Sequence, residues 1–299
     1  MPSPGSTTGP TAAHWLAGAR PRTLPAAISP VLAGTGVAAY ADGLVWWKAL
    51  LALVVALALQ VGVNYANDYS DGIRGTDADR IGPMRLVGSG TASAGSVRRA
   101  ALLAFGVAAV AGLVLAATTA WWLVVVGILC VLAAWFYTGG SKPYGYLGLG
   151  EVMVFVFFGL VAVVGTAYVQ TRAWQAGAVY AAVGIGAIAC AILVANNLRD
   201  IPTDRGSGKL TLAVRLGDGR TRILYVLLML LALVAVVGVA LATTWWALLA
   251  LVYVVPALQT SRIVRSGAGG PGLVPVLQLT GVAELLYGLG LLAGLGIGS

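Results

Sequence analysis

The sequence predicts an all-α membrane protein, a bundle of nine transmembrane helices. The first observation is composition: 59% of the 299 residues are hydrophobic and only 9% are charged, whereas about a quarter of the residues of a soluble domain carry charge. The second is a series of nine long apolar runs, and the third is a strong asymmetry in the placement of Lys and Arg. Leu, Ala and Val dominate the runs, which lack the short alternating strands of a membrane barrel.

The residues before the first run differ in composition from everything that follows. They begin MPSPGSTTGPTAA, a stretch rich in Pro, Gly, Ser and Thr without an apolar run. We therefore expect residues 1–20 to form a disordered polar tail rather than a signal peptide. Residues 21–299 are expected to form a single nine-helix transmembrane domain. Cys130 and Cys190 both lie in apolar runs, so no disulfide framework is predicted.

The nine spans follow from length and hydrophobicity. A helix needs about 20 mainly apolar residues to cross a hydrocarbon core of about 30 Å. The runs that meet this requirement are 23–41, 46–68, 98–118, 119–138, 149–170, 176–198, 221–242, 244–260 and 273–297.

Charge predicts the orientation of the bundle. Nine spans place the N-terminus and the loops after spans 2, 4, 6 and 8 on one side, which carries every Lys and Arg except Lys48 and Arg172, or sixteen of eighteen. The positive-inside rule then puts that side in the cytoplasm. Because the basic residues are spread over short loops, nucleic-acid binding is not expected.

Six of the ten acidic residues follow just two of these spans. Asn64 and Asp68 at the end of span 2 are separated by four positions, as are Asn196 and Asp200 around the end of span 6, and on a helix this spacing puts both side chains on one face. For any single aspartate, an ordinary solvated loop charge is the alternative interpretation. That alternative does not explain why Asn–Asp clusters recur at two corresponding helix ends.

Carboxylate and amide oxygens without histidine or thiolate are typical ligands of Mg²⁺. The expected metal ligands are Asn64, Asn67, Asp68, Asp71, Asp77, Asn196, Asp200 and Asp204. Within this set, the expected catalytic residues are Asp68, Asp71, Asp200 and Asp204. Because protein-bound Mg²⁺ commonly uses substrate phosphates to complete its shell, the two clusters predict two ions around one diphosphate.

Basic side chains near the acidic clusters are suited to neutralising the remaining phosphate charge. The diphosphate-binding candidates are Arg22, Arg80, Arg85, Lys142, Arg199 and Lys209. A diphosphate at the cytoplasmic mouth would let an apolar tail run into the bundle, and polar residues within the apolar part are candidates for an acceptor or tail cavity. These are Tyr144, Glu151, Gln278 and Glu284. For the intramembrane acids, a hydrogen bond to a neighbouring helix is an equally good interpretation.

These segments resemble a known family. NDYSD after span 2 and NNLRDIPTDRGSGKLTLAVRLG after span 6 are similar to the two aspartate-rich motifs of the UbiA superfamily of intramembrane aromatic prenyltransferases. GTDADRIGPMRLVGSG and YTGGSKPYGYLGLGEVMVFVFFGLVAVVGTAYV most resemble its menaquinone branch. Five residues separate Asp71 from Asp77, where many relatives have three, and this too resembles the menaquinone branch.

The resemblance implies a reaction. An all-trans polyprenyl diphosphate would be ionised with Mg²⁺, and the allylic carbocation would alkylate 1,4-dihydroxy-2-naphthoate with loss of carbon dioxide, giving demethylmenaquinone. The partners would be these two substrates and membrane lipid, and the protein would lie in the inner (plasma) membrane of a bacterial cell with its catalytic loops in the cytoplasm. The alternatives are a related prenyltransferase acting on 4-hydroxybenzoate, homogentisate or a sugar phosphate, and a transporter of lipid-linked or anionic substrates. Transporter sites tend to lie near the midplane of the bilayer, whereas the ionisable groups of this chain cluster at one end of the spans.

Overall fold

The computed structural model describes residues 9–75 and 84–299, and the regular secondary structure of these residues is entirely helical. The helices are α1 (Ala12–Ala19), α2 (Pro25–Tyr40), α3 (Trp46–Arg74), α4 (Ala94–Thr118), α5 (Leu123–Phe136), α6 (Gly150–Thr171), α7 (Ala176–Gly206), α8 (Leu212–Leu216), α9 (Asp218–Ala242), α10 (Trp245–Arg265) and α11 (Gly270–Ile297). The prediction of an all-α fold is confirmed.

The number of helices that could cross a membrane is smaller than the nine predicted spans. Over the described residues, α3, α4, α6, α7, α9, α10 and α11 are long and apolar enough. An eighth span results if Ala12–Thr23 and Pro25–Tyr40, which meet at 51°, are taken together. The remaining predicted span, 119–138, corresponds to α5, whose 14 residues reach only about 21 Å.

Two of the predicted spans end too early. Helix α3 continues past residue 68 to Arg74, where Gly75 ends it in the left-handed conformation at φ 69°. Helix α7 continues past residue 198 to Gly206 despite Pro202 within it. The extensions place Asp71, Asp200 and Asp204 on regular helix.

The predicted disordered tail is wrong over residues 12–19, which form α1. Thr11 begins this helix, since its side chain accepts from the backbone N–H of His14 while the His14 ring accepts from the backbone N–H of Thr11. This reciprocal capping gives hydrogen-bond partners to two backbone N–H groups that have none within the helix at its start. The Tyr65 hydroxyl donates to the carbonyl of Trp15 at 2.8 Å, and this contact holds α1 against α3.

Helix α7 lies at the centre of the bundle. In its apolar stretch 72% of the residues are buried, against 28–50% in the other six long spans. It packs against α6, α9 and α11, while α3 packs mainly against α4 and α2 mainly against α11. Large apolar side chains such as Leu103, Val110 and Leu241 remain exposed, as expected of helices that face lipid.

Glycines bring α11 into backbone contact with its neighbours. A Cβ atom at Gly294 would lie 2.0 Å from the carbonyl oxygen of Trp246, and one at Gly290 would lie 2.5 Å from the Cα of Ala250. On the other side of α11, a Cβ at Gly288 would lie 2.8 Å from the carbonyl oxygen of Ser29. Small residues therefore set the separation between α11 and both α10 and α2.

Candidate functional site

A cavity of about 870 Å³ lies between the helices, within the size range of small-molecule sites. Its walls come from α1, α2, α3, α5, α6, α7 and α11, together with residues of the segments that join α1 to α2, α3 to α4, α5 to α6 and α7 to α8. Residues from both halves of the chain therefore build one compartment.

The lining changes from apolar to polar along two helices. On α3 the lining residues run from Ala56 to Asp71, and on α7 they run from Ala189 to Asp204. Each series covers fifteen steps along a helix, or roughly 22 Å. In both series the first lining residues are mainly apolar, and the last are Asn and Asp, joined on α7 by Arg199. The two aspartate-rich helix ends therefore lie at the same polar end of an otherwise mainly apolar cavity.

Asp71 is the acidic centre of the polar end. Its Oδ1 accepts a hydrogen bond from the Tyr146 hydroxyl at 2.5 Å and lies 3.9 Å from Lys209 Nζ. Its Oδ2 accepts from Arg85 Nη2 at 3.3 Å. Asp71 is only 2% exposed, and a buried carboxylate requires such donors and counter-charges.

The second motif has a comparable arrangement on α7. The Arg199 guanidinium donates through Nε and Nη2 to the two carboxylate oxygens of Asp200, each at 2.7 Å, and Nη2 also donates to Asn196 Oδ1 at 2.9 Å. This two-point pairing is the strong form of a charge-assisted hydrogen bond. Asp204, one turn further along, also lines the cavity.

The lining as a whole is suited to an anion. Five of the lining residues are cationic and three are carboxylates, a formal difference of two positive charges; the cations are Arg20, Arg22, Arg85, Arg199 and Lys209. A cationic end on an apolar cavity matches an amphiphile with an anionic head group.

Asp68 differs from the other predicted metal ligands, because it does not line the cavity. Its Oδ2 accepts from the backbone N–H of Leu86 at 2.7 Å, and its Oδ1 accepts from that of Val87 at 3.0 Å. Both carboxylate oxygens are thus directed at the chain segment that enters α4. That segment also carries Arg85, so Asp68 holds the backbone beside a residue of the polar end.

The other predicted ligands separate into three groups. Asn64, Asn67, Asp71, Asn196, Asp200 and Asp204 line the cavity, as do Arg22, Arg85, Arg199 and Lys209 among the predicted diphosphate contacts. Lys142 is exposed and does not line the cavity, because its side chain projects from the surface of the α5–α6 loop. The predictions for Asp77 and Arg80 lie outside the described residues.

Of the four candidates for an acceptor or tail cavity, two line it. Tyr144 and Gln278 are lining residues, and the Tyr144 hydroxyl donates to the carbonyl of Ala133 at 2.7 Å. Burial raises the pKa of that hydroxyl, so it remains a neutral donor at physiological pH.

The two intramembrane acids do not line this cavity. Glu151 accepts from Asn197 Nδ2 at 3.0 Å, which is the neighbouring-helix bond that the sequence allowed as an alternative. Glu284 is fully buried, and neither of its carboxylate oxygens has a hydrogen-bond partner among the described residues.

Sequence reasoning missed Arg20 and Tyr146, both of which line the polar end. Arg20 ends α1 in the left-handed conformation at φ 56° and lies in the stretch that the sequence predicts to be a polar tail. Tyr146 lies in a short helical turn, Tyr144–Leu147, closed by Gly148 at φ 76°. The aromatic and glycine residues of KPYGYLGLG were the available signal for that turn.

The donor chemistry of the polar end fits a hard divalent cation. Over residues 9–75 and 84–299, no group of three or more His, Cys, Asp and Glu side chains is close enough to share a metal ion. The oxygens of Asp71, Asp200 and Asp204 nevertheless border one compartment, and Mg²⁺ is commonly held by one or two carboxylates plus substrate phosphates. The residues therefore fit an ion that binds together with a phosphate-bearing substrate.

Fold and site together define a helical membrane protein with a largely apolar cavity whose polar end is cationic and bears aspartates. The chain belongs to the UbiA prenyltransferase family, whose family model matches residues 27–268.

Named relatives resemble this chain over nearly its full length. It is 57% identical over 286 residues to the 1,4-dihydroxy-2-naphthoate octaprenyltransferase of Mycobacterium tuberculosis, which covers 96% of this chain and 98% of that protein. It is 35% identical over 291 residues to the enzyme of the same name from Escherichia coli, with 92% of each chain covered.

Solved structures share the fold at low sequence identity. A UbiA homologue from Aeropyrum pernix K1 without ligand superposes with a TM-score of 0.71 at 14% identity, over 90% of this chain and 97% of that one. A UbiA homologue from Archaeoglobus fulgidus bound to GPP and Mg²⁺ gives 0.69 at 14% identity, over 94% and 99% of the two chains.

Proposed function

We propose that this chain is a 1,4-dihydroxy-2-naphthoate polyprenyltransferase. It transfers the polyprenyl group of an all-trans polyprenyl diphosphate to the naphthoate ring with loss of carbon dioxide. The observation that carries the proposal is the cavity. It is mainly apolar along the first part of the α3 and α7 lining, and it is cationic at the end where the two aspartate motifs lie. The relatives named as 1,4-dihydroxy-2-naphthoate octaprenyltransferases support the choice of acceptor.

The reaction requires one bond to break before another forms. The allylic C–O bond breaks with its electron pair going to diphosphate, the ring carbon forms the new C–C bond, and the carboxylate leaves as carbon dioxide. No oxidant is needed, so the direct product is demethylmenaquinone in its quinol form. Because charge builds on the leaving diphosphate, groups that bind it more strongly in the transition state accelerate the step.

The lining residues supply that binding. Four cationic side chains line the polar end of the cavity, where they would contact the phosphate oxygens: Arg20, Arg22, Arg85 and Lys209. Mg²⁺, when bound by Asp71, Asp200 and Asp204 together with the diphosphate, would supply Lewis-acid stabilisation of the departing oxyanion. Phe157 and Phe158 line the apolar part, which would exclude water from the carbocation.

The number of metal ions, the number of spans and the orientation in the membrane are part of the same proposal. Two Mg²⁺ ions would bind, one for each aspartate motif, and α2 and α5 would complete nine spans in the inner membrane. The N-terminus and the mouth would face the cytoplasm, because sixteen of eighteen Lys and Arg residues fall on that side. Membrane lipid would contact the exposed apolar side chains of the outer helices.

Purified protein and a panel of acceptors test the activity. With octaprenyl diphosphate and Mg²⁺, mass spectrometry should find prenylated product with 1,4-dihydroxy-2-naphthoate and not with 4-hydroxybenzoate, homogentisate or a sugar phosphate. Asp71→Asn should abolish this product, whereas the matched control Asp218→Asn should retain it, since Asp218 pairs with Arg222 outside the cavity. Product with another acceptor alone would overturn the acceptor assignment, and no product with any acceptor would overturn the activity.

Thiol labelling in intact spheroplasts tests the orientation. In a background lacking Cys130 and Cys190, Ala173→Cys between α6 and α7 should react with an impermeant reagent. Ser266→Cys between α10 and α11 should react only after lysis, because both positions are exposed and lie on opposite predicted sides. The reverse pattern would invert the proposed topology.

A further inference from the structure

Tyr146 occupies a position that joins the two aspartate-bearing helix ends. Its hydroxyl donates to Asp71 Oδ1 at 2.5 Å, which connects it to α3. Its backbone carbonyl accepts from the backbone N–H of Leu210 at 3.0 Å, which connects it to the segment after α7. A single residue of the α5–α6 connection therefore contacts both motif regions.

The ring of Tyr146 makes a third contact. The Lys209 ammonium lies 4.5 Å from the ring centroid, within the range of a cation–π interaction. The same ammonium is 3.9 Å from Asp71 Oδ1, which is at the outer limit of an ion pair and too long for a hydrogen bond. Tyr146 thus contacts both members of a loosely associated pair of opposite charges.

The backbone around Tyr146 is itself held in place. Gly145 N–H donates to the carbonyl of Tyr137 at 3.0 Å, and Gly148 closes the turn at φ 76°, a conformation that favours glycine. The Arg74 guanidinium lies 5.6 Å from the centroid of the Tyr146 ring and donates to the carbonyls of Thr138 and Gly140 in the same connection. These contacts fix the direction of the hydroxyl before any ligand arrives.

We propose that Tyr146 is a positioning residue for diphosphate capture, which orients the Asp71 carboxylate and holds the Lys209 ammonium close to it but not hydrogen-bonded. This inference rests on the proposed function. When the Mg²⁺–diphosphate complex binds, Lys209 exchanges Asp71 for a phosphate oxygen, while the tyrosine hydroxyl keeps Asp71 Oδ1 in place. Without the hydroxyl, part of the binding free energy would be used to orient the carboxylate.

Tyr146→Phe removes the hydroxyl and keeps the ring, so it separates the contribution of the hydroxyl from that of the ring. One hydrogen bond to a charged group corresponds to a roughly tenfold or greater change in equilibrium. We expect the KM for prenyl diphosphate and the Mg²⁺ concentration for half-maximal activity to rise about tenfold, with kcat changed less than threefold. Tyr146→Leu also removes the cation–π contact, and we expect a further two- to fivefold rise in KM.

A binding measurement without turnover gives an independent readout. Titration calorimetry with Mg²⁺ and geranyl thiodiphosphate, an analogue that ionises slowly, should show a roughly tenfold weaker Kd for Tyr146→Phe. Tyr40→Phe is the matched control, because it likewise removes a hydroxyl that donates a hydrogen bond, here to the backbone carbonyl of Thr243 at 2.9 Å, and Tyr40 does not line the cavity. Tyr40→Phe should bind the analogue like the unmodified protein.

The possible outcomes are distinct. Unchanged analogue binding and KM in Tyr146→Phe would overturn the positioning role, as would a loss of kcat and thermal stability without weaker binding, which indicates a structural role alone. If the unmodified protein neither binds the analogue nor turns over any prenyl diphosphate, the proposed function fails and this inference fails with it.

Discussion

Replacing Asp68 by Asn tests whether this residue holds a metal or holds the backbone. The sequence predicts a metal ligand, whereas the structure directs both carboxylate oxygens to the N–H groups of Leu86 and Val87, at 2.7 and 3.0 Å. An asparagine offers one oxygen, and its NH₂ group would face an N–H donor. Asp68→Asn should therefore lose at least one hydrogen bond to a charged acceptor.

The size of the effect follows from burial. Asp68 is 1% exposed, so water cannot replace the lost bond, and a hydrogen bond to a charged group contributes about 1.5–3 kcal/mol. At about 1.4 kcal/mol for each factor of ten, local opening of the segment after residue 84 should become roughly 10- to 150-fold more frequent.

Hydrogen–deuterium exchange on the detergent-solubilised protein measures that opening directly. Peptides covering residues 84–93 should exchange faster in Asp68→Asn by the factor above, while peptides from α9 should not change. Asp42→Asn is the matched control, because Asp42 is exposed and has a left-handed backbone at φ 53° that Asn tolerates. Unchanged exchange over 84–93 together with a loss of Mg²⁺ affinity would refute the backbone role and restore the metal assignment.

Three further predictions concern the site and the buried acids. Asp200→Ala should remove at least 90% of prenyl transfer, because it deletes a carboxylate at the polar end of the cavity. Asp218→Ala should retain most of the transfer, since it removes only a surface ion pair. Comparable losses in both variants would argue against a catalytic site at Asp200. Exhaustive chelation should abolish turnover and added Mg²⁺ should restore it, so full activity after chelation would exclude metal dependence. Glu284→Leu should raise the free energy of unfolding by about 1–3 kcal/mol, because an unpartnered buried polar group is removed, and should leave transfer unchanged; a lower thermal midpoint or lost activity would show that Glu284 has a partner or a role.

The helical fold could be predicted because composition and run length depend only on the sequence itself. The span ends could not, since polar residues at a helix end are compatible with either a loop or a continued helix. Asp71 and Asp204 illustrate this: both lie beyond the predicted ends of their spans, and both are on helix. The apolar run alone does not show that the helix continues into the polar end of the cavity.

The sequence pattern predicted part of the site as well. The recurrence of Asn and Asp at two helix ends predicted a common location, and Asp71 and Asp200 do line one cavity. The partner of each carboxylate depends on tertiary contacts that spacing cannot reveal. Asp68 is adjacent in sequence to Asn67, yet it faces away from the cavity, towards backbone that is 18 residues further along the chain.

The direct backbone contacts of α11 also determine which parts of this protein can change during evolution. At Gly294 and Gly290, any side chain would overlap backbone atoms of α10, so a replacement is accepted only if a whole helix shifts. Glycines on the outer helices, such as Gly106, Gly112 and Gly127, would place a Cβ in open space. There a replacement by alanine is favourable for the helix. Among homologues, glycine should therefore persist at Gly288, Gly290 and Gly294 of α11 and be exchanged freely at Gly106, Gly112 and Gly127. The separations between α11 and its neighbours are constrained in this way, whereas α4 and α5 tolerate substitution.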